Sequence, residues 1–111
     1  SIEAAHSLPN VPKGHKCARL HGHSFKIRLY VEGVPNEENG WIIDYADIAK
    51  AFETSRKILD HSHLNEIEGL NNPTSENLAI WVWNHTASDF PKLSKVEVKE
   101  TCTSGCIYQG E

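Results

Sequence analysis

At 111 residues, with 23% charged side chains and a formal net charge of -4 with histidines neutral, the chain is long enough to bury a core without disulfide or metal staples, and it lacks the basic excess that a nucleic-acid backbone selects. Its apolar runs stop far short of the ~20 residues of a membrane span, no charged-then-apolar leader opens it, and three cysteines form an odd count, unlike a secreted disulfide framework. The expectation is a soluble cytoplasmic protein, one domain over residues 1–111, that engages neither nucleic acid nor membrane; with no methionine anywhere, the chain is expected to lack its natural start.

Ile2, Ala4 and His6 share one parity, so a strand there turns all three to the same side. From Ser24 to Glu32 the alternation is clear, with Phe25, Ile27, Leu29 and Val31 against Lys26, Arg28, Tyr30 and Glu32. Asn39-Gly40 marks a turn, and Trp41-Ile42-Ile43 reads as a brief extended return. Asp44 then caps a helix in which Tyr45, Ile48, Phe52 and Leu59 recur at helical spacing, ending near Asp60. Pro73-Thr74-Ser75-Glu76 places a hydroxyl cap and an acid before the run Leu78 to Trp83, a second helix through about His85. Val96, Val98, Glu100 and Cys102 alternate with Glu97, Lys99 and Thr101, and Thr103-Ser104-Gly105 turns the chain into a last strand over Cys106 to Gln109. The order ββααββ gives an α+β fold, an antiparallel four-stranded sheet with two helices on one face. Four strands cannot close a barrel and leave two edges bare, so pairing of edges between subunits is expected.

His21 and His23 sit one residue apart on the inward line that continues into Phe25 and Ile27. An extended backbone therefore aims both imidazoles to one side, and hairpin pairing brings His6 opposite them. Three neutral imidazoles with a free fourth position are the layout of a catalytic zinc site. Cys17 lies four residues before His21, flanked by Lys16 and Arg19, cations that favour its thiolate. It is either a fourth ligand that closes the site or a base standing across a substrate from the metal. Asp60-His61-Ser62-His63 follows the first helix. A carboxylate beside an imidazole equips it to accept a proton, although a histidine at a helix C-terminus is also favoured by the helix dipole; His63 could join a second ligand pair. Glu100 shares the parity of Val96 and Val98, so the core pattern buries a carboxylate that needs a partner, and a ligand with two adjacent N–H donors would satisfy it. Cys102 and Cys106 read as packing residues, since CxxxC is not the redox spacing.

The ordered set His6, Cys17-Ala18-Arg19-Leu20-His21-Gly22-His23, Leu59-Asp60-His61, Leu64-Asn65, Pro73-Thr74-Ser75-Glu76-Asn77 and Lys99-Glu100-Thr101 resembles the 6-pyruvoyltetrahydropterin synthase superfamily along essentially the whole chain. The CxxxHGH spacing and the ending Glu100-Thr101-Cys102-Thr103-Ser104-Gly105-Cys106 are similar to its carboxy-forming branch. That resemblance implies a tunnelling fold in which three subunits pool their strands into a barrel and two rings stack into a hexamer. It implies Zn2+ on His6, His21 and His23, Cys17 as general base assisted by Asp60 and His61, and Glu100 anchoring a pterin with Thr74 and Ser75 nearby; Glu100 is also implied as part of the catalytic relay. The substrate implied is 7,8-dihydroneopterin triphosphate, converted with water to 6-carboxy-5,6,7,8-tetrahydropterin, acetaldehyde and triphosphate, a step towards queuosine. Lys13, Lys16 and Arg19, clustered beside the site, are expected to steer the triphosphate. The competing readings are a pyruvoyl-forming pterin synthase and a non-catalytic zinc-stabilised module that binds a pterin. His15 receives no role.

Overall fold

A computed structural model describes residues 1–101 and 104–110; the expectation for Cys102 lies outside the described residues. Four strands, β1 (Ile2–His6), β2 (His21–Val31), β3 (Leu93–Lys99) and β4 (Gly105–Tyr108), and two helices, α1 (Tyr45–Leu59) and α2 (Ser75–Thr86), follow one another as ββααββ. The strands form one antiparallel sheet in the order β1-β2-β3-β4, and α2 packs on β3 and β4 while α1 packs on β1 and α2. The expected α+β layout is therefore present. No described helix is long and apolar enough to cross a membrane.

The long strand β2 serves two neighbours in succession. Its first half, His21 to Phe25, pairs with β1, and its second half, Lys26 to Val31, pairs with β3. The inward line Ile2, Ala4 and Phe25 is buried with Leu59, Leu78, Val82, Val96 and Val98, each full burial of a large apolar side chain contributing roughly 1.5–3 kcal/mol. His6 is only 1% exposed, so the end of this apolar line carries a polar ring into the core.

Both helices begin where a polar side chain satisfies an otherwise unpaired backbone N–H. The Asp44 carboxylate accepts from Ala46 N–H, and Thr74 Oγ1 accepts from Asn77 N–H at 3.1 Å. α1 ends at Leu59 with Asp60 as its cap, as the periodicity predicts.

Four expectations need correction. Trp41-Ile42-Ile43 forms no strand, because the backbone there is satisfied locally: Asn36 N–H donates to the Trp41 carbonyl, and Asn39 Oδ1 accepts from Trp41 N–H. Tyr45 is 84% exposed; as the first residue of α1 it precedes the turns through which Phe52, Ser55 and Leu59 pack. β3 starts and stops earlier than the alternation suggests, since Glu100 N–H donates to the Ser104 carbonyl and thereby opens the connection to β4 inside the expected strand. The outer edge of β1 is also not bare. Glu3 O accepts from His61 N–H, Ala5 N–H donates to Ser62 O, and Ala5 bridges His63 in parallel, so residues 60–63 lie along it like a short fifth strand.

Candidate active site

Three imidazoles meet where β1 and β2 pair. His6 is the direct Cα partner of His21, and Ala4 is the partner of His23, so His6 stands opposite one ring and diagonal to the other, as cross-strand geometry requires. Ring centroids lie 4.5 Å apart for His6 and His21, 5.3 Å for His6 and His23, and 4.9 Å for His21 and His23. One nitrogen from each ring falls within 4.8 Å of the others, a spacing that one ion can bridge.

Hydrogen bonds on the far side of two rings fix which nitrogen is offered. A carbonyl can only accept, so His6 Nδ1–H donates to the Pro73 carbonyl at 2.7 Å and His21 Nδ1–H donates to the Arg19 carbonyl at 2.7 Å. That leaves each Nε2 with a lone pair. His6 Nε2 is buried without any hydrogen-bond partner, a costly state for a polar atom unless something binds it. Burial, outweighing the Pro73 bond, also pulls the His6 pKa below its ordinary value, which keeps the ring neutral. The donor set and the orphaned nitrogen fit a bound metal ion.

The start of α2 supports the cluster from behind. Pro73 gives its carbonyl to His6, and buried Ser75 donates its hydroxyl to Glu100 Oε1 at 2.7 Å. The other Glu100 oxygen stands 3.8 Å from His23 Nε2. Glu100 is about one-fifth exposed, so it is less buried than strict parity predicts and can face a ligand. Asn65 grips the chain just past His6 with both ends of its amide: Oδ1 accepts from Ser7 N–H, and Nδ2 donates to Ser7 O. Asn65 had a place in the sequence motif but no stated task. The role of the Pro73 carbonyl has no side-chain signature at all.

Cys17 lies in a 3₁₀ turn, Lys16–Ala18, in the connection between β1 and β2. Its side chain is partly exposed, and Lys13, Lys16 and Arg19 around it are exposed. Among the described residues no hydrogen bond links the Cys17 thiol to His61.

Asp60 and His61 stand elsewhere. Asp60 Oδ1 accepts from Glu3 N–H at 2.8 Å, and its other oxygen lies 3.2 Å from His61 Nδ1 and 3.5 Å from Arg56 Nη1. His61 holds a left-handed backbone, φ 59°, which steers the chain from the end of α1 onto the edge of β1. A side chain in that conformation costs about 1–2 kcal/mol relative to the usual region, where glycine would cost little. His61 lines a groove of about 650 Å³ with Glu3, Ala5, Gly22, His23, Ser24 and Thr101. Glu3, Ala5, Gly22 and Ser24 have the opposite parity to His6, His21 and His23. His23, whose ring belongs to the triangle, lines the same groove, yet among the described residues no hydrogen bond or ion pair joins Asp60 or His61 to any of the three imidazoles.

The Glu3 N–H bond, followed by the neighbouring His61 and Arg56, holds the Asp60 carboxyl below the usual carboxylate range. A depressed folded-state pKa contributes stability that is present above the unfolded value of about 3.9 and is lost as pH falls through the folded value. Asp60→Asn is therefore expected to be less stable than the parent protein at neutral pH, with the gap closing below about pH 4. Urea titrations of both proteins at matched pH values check this; a gap independent of pH contradicts it.

Similarity to known proteins shows what the cluster belongs to. A 6-carboxy-5,6,7,8-tetrahydropterin synthase of Synechocystis is 42% identical over 97% of this chain and 87% of its own length, and a dihydroneopterin monophosphate aldolase of Pyrococcus furiosus is 33% identical over 90% of this chain and 83% of its own. The fold superposes on the 6-pyruvoyl tetrahydropterin synthase of Caenorhabditis elegans with a TM-score of 0.90 at 25% identity, covering 99% of this chain and 90% of that one. The family model described as 6-pyruvoyl tetrahydropterin synthase matches residues 1–111, so the chain belongs to that family and is an enzyme of the tetrahydropterin synthase type.

Proposed function

We propose that this chain is a zinc-dependent lyase that converts 7,8-dihydroneopterin triphosphate, with water, to 6-carboxy-5,6,7,8-tetrahydropterin, acetaldehyde and triphosphate, on the route to queuosine. The observation that carries the reading is the contact between Glu100 and the imidazole triangle. A carboxylate oriented by Ser75 and lying 3.8 Å from His23 sets a recognition group for paired N–H donors next to a set of metal ligands. A pterin presents such donors on its amino-pyrimidine edge, and its side chain then extends towards the triangle.

His6, His21 and His23 would hold the zinc, which when bound supplies a Lewis acid that polarises the hydroxyl and carbonyl oxygens of the substrate side chain. Cys17 then acts as the base that removes the proton from the adjacent carbon. His61, fixed by Asp60, receives or returns protons as the side chain is cleaved. Glu100 accepts the ring N–H groups and takes part in the relay, with Thr74 and Ser75 at the start of α2 beside it. Lys13, Lys16 and Arg19 attract the triphosphate. Because no hydrogen bond or ion pair among the described residues joins Asp60–His61 to the triangle within one subunit, we place the complete site between subunits of a barrel-forming trimer, two of which stack into a hexamer. We take the chain to be one domain throughout, acting in the cytoplasm.

Incubating the zinc-loaded protein with 7,8-dihydroneopterin triphosphate tests the reading. Acetaldehyde and the 6-carboxy product are expected; a 6-pyruvoyl product would move the chain to the other branch, and bound zinc and pterin without turnover would make it a binding module. Reaction only with the monophosphate would align it with the aldolase-named relative. Glu100→Gln replaces a charge-assisted acceptor by a neutral amide, and a hydrogen bond to a charged group is worth ~1.5–3 kcal/mol, so pterin binding should weaken by about 10- to 100-fold. Calorimetric titration with a non-reactive pterin gives the number, and unchanged affinity would remove Glu100 from recognition.

A further inference from the structure

We propose that His15 is a positioning residue for this reaction, holding the Cys17 turn in the conformation the site uses. The proposal rests on the reading of Cys17 as the base. The turn that carries Cys17 contains no buried residue, so packing does not hold it and hydrogen bonds decide its shape. His15 supplies or receives three of them. Its Nδ1 accepts from Cys17 N–H at 3.0 Å, its carbonyl accepts from Ala18 N–H at 3.0 Å, and its own N–H donates to the Pro12 carbonyl at 2.9 Å. The ring stands at the N-cap position, with extended backbone angles of φ -65° and ψ 136°, where Ser, Thr, Asp and Asn usually perform the same acceptance. Gly14, at φ +89°, makes the preceding bend that brings His15 into place.

The same turn leads directly to the imidazole triangle. Arg19 N–H closes the turn on the Lys16 carbonyl at 3.2 Å, and the Arg19 carbonyl accepts from His21 Nδ1–H. A second tie runs from Leu8 N–H to the Cys17 carbonyl at 2.8 Å. His15 thus begins a line of bonds that fixes the thiol and ends on a ring of the triangle. Accepting at Nδ1 requires the ring to be neutral there, with its proton on Nε2. An exposed histidine in that tautomer is doing the work of an asparagine cap.

The test uses the zinc-loaded protein and its His15→Ala and His15→Asn variants, with His21 intact to report zinc retention. Loss of a cap shifts the balance between closed and open turn by about fivefold. His15→Ala is therefore expected to keep one zinc per chain, to lower kcat by up to about fivefold with KM little changed, and to speed iodoacetamide alkylation of the Cys17 peptide, read by mass spectrometry. Asparagine at the position restores both readings towards those of the parent protein because its side-chain oxygen can accept the same N–H. Parent-like kcat and alkylation in His15→Ala, or no rescue by His15→Asn, overturns the proposal. Cys17→Ala assayed alongside separates the two ideas: full turnover there overturns the base reading, whereas lost turnover there with an unaffected His15→Ala overturns the role of His15 alone.

Discussion

Replacing Cys17 by alanine is expected to leave a folded protein that retains zinc and loses about 10²- to 10⁴-fold in turnover, the usual contribution of a positioned general base. The folded state should hardly notice the change. The thiol is partly exposed in a turn with no buried residue, and substitutions at such places usually stay within about 0.5 kcal/mol. Zinc should also remain, because the three imidazoles form a complete set without sulfur and two of them are oriented by backbone carbonyls that Cys17 does not touch. On the reading of Cys17 as the base, turnover alone is expected to depend on the thiol. Rate of acetaldehyde release, zinc content and a thermal melt decide the matter together: a variant that has lost its zinc makes Cys17 a fourth ligand, and a variant with parent-like turnover removes it from the chemistry.

The imidazole triangle was legible in the sequence because its signal is the same alternation that builds the core. His6, His21 and His23 continue the parity of Ile2, Ala4 and Phe25, and antiparallel pairing then leaves one possible place for them to meet. Helix boundaries were legible for a related reason, since Asp44 and Thr74 are polar caps standing before apolar periodic runs. Other features were hidden because they depend on backbone groups. The carbonyl of Pro73 that orients His6 and the edge pairing of residues 60–63 with β1 leave no trace in side-chain pattern. Trp41-Ile42-Ile43 looked extended because its residues are apolar, and the Asn39 side chain and the Asn36 backbone N–H capture hydrogen bonds of Trp41 that a strand would have needed. His15 received no role because histidine is not among the residue types that mark a cap in sequence, so its acceptance from Cys17 N–H leaves no recognisable pattern.

The placement of Asp60 and His61 has the more demanding consequence. No hydrogen bond or ion pair among the described residues joins them to the triangle, although His23 lines their groove, and in the proposed assembly each site takes Cys17 and its zinc ligands from one subunit and Asp60–His61 from another. Cys17→Ala and His61→Ala are each expected to be inactive as homo-oligomers. Refolded or co-expressed together in equal amounts, they should regain about one quarter of parent activity, the fraction of random junctions at which both contributing subunits carry the intact residue. The gain is large because it is measured against two inactive parents. It also needs no assumption about which proton moves when, only that the two residues serve one site across a boundary. Differential tags on the two variants confirm mixing. Thoroughly mixed oligomers that stay inactive would mean that Cys17 and His61 act from the same subunit. Partial recovery at the expected fraction, with zinc bound in every subunit, would establish that the histidine in its strained left-handed turn is held there for its neighbour's site and not for its own.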